Sequence, residues 1–212
     1  MRSSPRTTLT RVRLGGTAAV LAGLCYGAAG YLDRPGISGY TGALVSVLSV
    51  AIPALFLGGL LGLQSRLPDA TQTDFASSAG FVGFVFGCFG AVLGTAWELG
   101  LGGTIAWKLG LEGTETTFFW WVLFLEGLTL MGLAASLRGG LRLLGAVVLI
   151  SGALGWVSLL TDPAFSGGVL VPMRPVHVAF AAAFCLSWVV WGALLMVPRE
   201  NRWQLGNFLE RR

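Results

Sequence analysis

The chain has 212 residues, of which 54% are hydrophobic and only 11% charged, with a mean hydropathy of +0.75. Soluble domains carry roughly a quarter of their residues as charges, so this composition excludes a soluble protein. The formal net charge of +4 comes from 14 Lys and Arg against 10 Asp and Glu. Their placement, taken up below, is that of a membrane topology signal and not of a nucleic-acid footprint.

Six apolar segments are legible, at about 14–32, 40–63, 77–98, 117–137, 143–161 and 176–197, each about long enough to span a bilayer. They predict an all-α, polytopic membrane protein with six transmembrane helices. A single transmembrane domain then covers residues 1–212. The first segment has the basic flank of a signal peptide, but its apolar run is longer than a signal core, so it reads as a retained span.

That first span carries Gly16, Ala19, Gly23, Gly27 and Gly30. Spacings of three and four put them on one stripe of a helix, where small residues let a neighbouring backbone approach closely. The second span holds Gly58 and Gly62, an isolated pair of a kind common in membrane helices. The third repeats the stripe with Gly80, Gly83, Gly87, Gly90 and Gly94, and the fifth with Gly145, Val148, Gly152 and Gly155.

Gly16, Gly80 and Gly145 recur at intervals of 64 and 65 residues, and Gly23, Gly87 and Gly152 do the same. The period predicts three tandem hairpins, with the glycine-seamed odd helices packed centrally. The fourth span opens with Phe118-Phe119-Trp120-Trp121 and the sixth carries Trp188 and Trp191, which read as interfacial anchors on even helices turned toward lipid.

Arginine sets the orientation. With both termini cytoplasmic, the inner segments hold 11 of the 14 basic residues, and the outer loops hold only Arg34, Lys108 and Arg174. The protein is thereby expected in the inner membrane of the cell, as a multi-pass protein with its N- and C-termini inside.

Glu126 is the most suggestive ionisable residue. It falls near the middle of the fourth span, where a carboxyl group is protonated, paired or turned to a wet cavity. Thr129, Ser46 and Ser49 are its candidate partners. Asp33, Glu98 and Asp162 close the outer ends of the odd spans, with Arg34, Arg174 and His177 near them. These groups outline an outward-facing ligand or ion pocket built from Glu126, Glu98, Arg174, His177, Asp162 and Asp33.

Against that pocket stand plainer readings. Asp33-Arg34-Pro35 and Asp162-Pro163 are turn signals, and a lone histidine at a span entry is an interfacial polar residue. His177 is the one histidine, so the chain by itself offers neither a bis-histidine haem nor a multi-histidine zinc centre. Cys25, Cys88 and Cys185 are odd in number and form no CxxC pair, so no metal or cofactor is expected. P-loop, GxSxG and HExxH motifs are absent, and no catalytic residue is assigned.

Gly36-Ile37-Ser38-Gly39 looks like the GxSG of rhomboid intramembrane proteases, although Ser38 precedes the second span and that family places its serine on the fourth helix. Ala18xxxAla22 and Gly23xxxGly27 resemble the docking surface on the first helix of the substrate-binding components of energy-coupling-factor vitamin transporters, which are similar in size. That resemblance implies a partner in the membrane and a ligand pocket open to the outside.

The sequence thus supports a non-enzymatic membrane protein whose outward-facing pocket binds or passes a small solute or ion. The alternative is an accessory or assembly subunit of a larger membrane complex, and a membrane enzyme comes third. The expected partners are the lipid bilayer and a membrane protein or second copy, with no nucleic acid.

Overall fold

The structure is a computed structural model and describes residues 5–32, 41–67, 74–98, 114–138, 141–161 and 174–197. Six α-helices occupy them: α1 (Pro5–Leu32), α2 (Thr41–Gln64), α3 (Phe75–Glu98), α4 (Thr114–Ser136), α5 (Arg142–Thr161) and α6 (Arg174–Met196). Among the described residues, five of the helices are long and apolar enough to cross a membrane.

Local chemistry marks the helix ends. Pro5 opens α1, where a missing N–H costs nothing. Asp74 precedes α3, its carbonyl accepting the Ser78 N–H at 2.9 Å, and its carboxylate suits the positive end of the helix dipole. Pro53 lies inside α2 and removes one donor from that helix's ladder.

The helices form a ring in chain order: each packs on its sequence neighbours, and α6 closes the circle against α1. Neighbours run antiparallel. Gly15 meets Gly62 while Ala18 meets Gly58; Gly80 meets Gly127 while Gly87 meets Phe124. The expected arrangement, with odd helices meeting one another at the centre, is therefore replaced by one in which every extensive contact joins an odd helix to an even one. α4 packs along α5 through Gly132, Gly145 and Gly152 as it packs along α3.

Side-chain size decides what faces where. In lipid no hydrophobic force sorts apolar residues, so helices associate where small residues permit close packing. On α3 the glycines face α4, whereas Val82, Phe86 and Phe89 are 50–58% exposed on the outside. Methyl groups built on Gly80, Gly87, Gly23 and Gly152 would lie 2.9 Å from the Gly127 carbonyl, 2.6 Å from Phe124 Cβ, 2.5 Å from the Cys185 carbonyl and 2.5 Å from Thr129 Oγ1. Gly83 and Gly27 sit less tightly, and Gly90 lies under the Trp120 ring. The environment of Gly94 lies outside the described residues.

An aromatic cluster fills the centre. Phe56 and Trp188 have ring centroids 4.3 Å apart, Phe84 and Phe124 4.4 Å, and Trp188 and Trp191 4.2 Å, with Tyr26 and Phe184 packed alongside. Trp188 and Trp191 are fully buried, so they are core residues and not the interfacial anchors that their place near a span end predicted. The space for Trp188 is opened by Gly59, where a methyl would stand 3.3 Å from the indole ring.

Candidate functional site

Glu126 lies near the middle of α4, roughly 18 Å from its start and 15 Å from its end at 1.5 Å per residue. Its direction differs from the pocket expectation. α4 turns Gly127, Phe124 and Trp120 toward α3, and Leu125, Thr129 and Ser136 toward α5. Glu126 stands on the remaining outer face and is exposed.

Phe119, at 53%, and Leu133, at 42%, are exposed one heptad before and after it, so the three residues share one stripe. Thr129 does not serve Glu126 as a hydrogen-bond donor, because its hydroxyl donates to the Leu125 carbonyl at 2.7 Å. Among the described residues Glu126 has no hydrogen-bond or ion-pair partner; the side chains of Ser46 and Ser49 lie outside them.

His177 is half-buried in the first turn of α6, with Nδ1 3.0 Å from the Ser158 carbonyl oxygen on α5. A carbonyl only accepts, so Nδ1 carries the proton and ties α6 to α5. α4 and α6 are not neighbours in the ring, so Glu126 and His177 are not brought together. Glu98 ends α3 and Arg174 begins α6, but their side chains lie outside the described residues, as do Asp33 and Asp162 entirely. Among the described residues no three His, Cys, Asp or Glu side chains gather as a metal site.

The opposite end of the ring holds two basic contacts that residue spacing did not single out. Arg66, 8% exposed, donates through Nη2 to the Leu195 carbonyl at 2.8 Å and the Val197 carbonyl at 3.2 Å. It thereby caps the C-terminus of α6 from the end of α2. Arg138, after α4, pairs with Asp74, ahead of α3, at 2.5 Å, both side chains about half exposed. Arg11, Arg13 and Arg142 stand at the same end.

No known protein family, characterised protein or solved structure matches the chain.

Proposed function

We propose that the protein is a non-enzymatic subunit of a larger assembly in the inner membrane, docked through the outer face of α4. Glu126 carries this reading. A carboxyl group facing hydrocarbon at mid-span is expensive even when protonated, because its polar atoms find no partner in lipid. A partner helix that supplies a hydrogen-bonding or basic group at that depth removes the cost. The Phe119, Glu126, Leu133 stripe has the seven-residue spacing of a helix-packing seam, and the aromatic filling of the ring also speaks against a central path for solute.

The remaining finer features belong to the same reading. The termini are cytoplasmic, supported by the arginines gathered at the end where α1 begins. The glycine stripes act as helix-packing seams, and the three-hairpin period is a relic of repetition in the sequence. A solute or ion site formed by Glu98, Arg174, His177, Asp33 and Asp162 is the second reading, favoured by the common end of the ring at which α3 finishes and α6 begins. Glu126 would then stand apart from it.

Native mass spectrometry of the protein, gently extracted from its own membrane, tests the proposal. A second protein is expected to accompany the wild type and Glu126→Gln, and to be lost from Glu126→Leu with the bundle still folded. A lone wild-type chain that retains a small solute would overturn the assembly reading in favour of the outer-end site. Retention of the partner by Glu126→Leu would remove the α4 face as the dock.

A further inference from the structure

An open groove of about 420 Å³ runs between α1 and α2 at the arginine-rich end of the ring. Gly15, Ala18 and Gly58 form its floor, because the two helices approach so closely there that a methyl on Gly62 would stand 2.7 Å from the Gly15 Cα. Leu14 and Leu61, 65% and 47% exposed, form its walls. Arg11 and Ser65 mark its end. The Ser65 hydroxyl already donates to the Leu61 carbonyl at 2.8 Å, which leaves the Arg11 guanidinium as the charged donor of the groove. Arg11 is exposed and has no ion-pair partner among the described residues.

We propose that this groove holds one anionic phospholipid, with its phosphate on Arg11 and an acyl chain lying along the glycine floor between Leu14 and Leu61.

Three features of the groove select this occupant. The first is shape. The stretch from Arg11 to Ala18 spans roughly 10 Å of α1, and along it a floor of three small residues lies between two leucine walls. An alkyl chain lies along such a slot in contact with the floor and both walls. The second is polarity along its length: apolar walls end at a single cation, the order of groups in a phospholipid read from tail to head. The third is depth. The apolar run of α1 from Leu14 to Leu32 spans about 28 Å, close to the hydrocarbon thickness, which puts Arg11 at the level of the lipid phosphates. A guanidinium there forms charge-assisted hydrogen bonds to a phosphate.

The test titrates the purified full-length protein with phosphatidylglycerol or phosphatidylcholine of identical acyl chains and counts bound lipids by native mass spectrometry. The wild type is expected to retain one phosphatidylglycerol in preference to phosphatidylcholine. Arg11→Gln should reduce that preference about fivefold, the weight of one basic side chain near an anionic headgroup. Arg13→Gln, which changes another exposed arginine on a different face of α1, should leave it unchanged.

Leu61→Trp fills the slot from a wall position and should displace either lipid. Equal loss from Arg11→Gln and Arg13→Gln would overturn the proposal in favour of a diffuse basic rim. Equal retention of the two lipids would overturn it as well, and so would a dimer broken by Leu61→Trp, which would assign the groove to a second copy.

Discussion

Arg66 is a guanidinium enclosed at a point where a helix runs out of donors. The last carbonyls of α6 have no intrahelical partner, and Nη2 of Arg66 donates to two carbonyls there at once, that of Leu195 and that of Val197 just beyond the helix. Arg66→Met keeps the packing of the stem and removes the donors. It should lower stability by about 1.5–3 kcal/mol, the range for hydrogen bonds to a charged group. Faster amide exchange confined to the end of α6 would locate the loss there, and an unchanged exchange pattern would refute the cap. Arg66→Lys should recover only part of the loss, since the lysine Nζ ends one bond short of the position of Nη2.

The buried tryptophans behave differently. The indole N–H groups of Trp188 and Trp191 have no hydrogen-bond partner among the described residues, so their contribution is one of volume and ring contact. Trp191→Phe should therefore change thermal stability by no more than about 1 kcal/mol, while Trp191→Ala should cost about 3–5 kcal/mol. A large penalty for the phenylalanine variant would reveal a hydrogen bond to that nitrogen.

At the scale of the helix, α3 shows how size replaces polarity as the sorting rule. Its glycine face accepts Phe124 and Trp120 of α4, and its phenylalanine face looks outward. Gly87→Leu should cost upwards of about 1–3 kcal/mol, because the added side chain meets Phe124 backbone as well as Cβ. Leu93→Ala, at a half-exposed position, should be nearly silent. Thermal unfolding in detergent separates the two variants, and equal tolerance would remove the packing role of the glycine face.

This face was legible in the sequence, because a 3.6-residue period states which residues share a stripe. What opposes the stripe was not legible, because a period carries no information about the neighbouring helix. Gly58 and Gly62 read as an incidental pair in the sequence, and Gly15 and Ala18 lie against them. Trp188 and Trp191 looked like anchors because core and interfacial tryptophans have the same composition; the gap at Gly59 that admits Trp188 lies on another helix. Glu126 divides in the same way: helix rise gives its place along α4, and the packing of α3 and α5 on either side turns it outward.

At the scale of the whole molecule, closure of the ring is the feature furthest from anything local in the chain, since it joins α1 to α6. Gly27 and Cys185 report on it directly. A Cβ built on Gly27 would lie 3.9 Å from Cys185 Cβ and 3.6 Å from its Sγ, within the Cβ–Cβ range of about 3.5–4.5 Å that a disulfide requires. Gly27→Cys should therefore form a disulfide with the native Cys185 under mild oxidation, detected as a linked α1–α6 peptide pair by mass spectrometry after digestion. Cys88 sits on α3, which is not a ring neighbour of α1, and should stay unlinked to the new cysteine. The bond needs α6 to lie beside α1 with Cys185 level with position 27. An oxidised Gly27→Cys protein that links to Cys88 instead would replace the closed ring with a packing in which the odd helices meet.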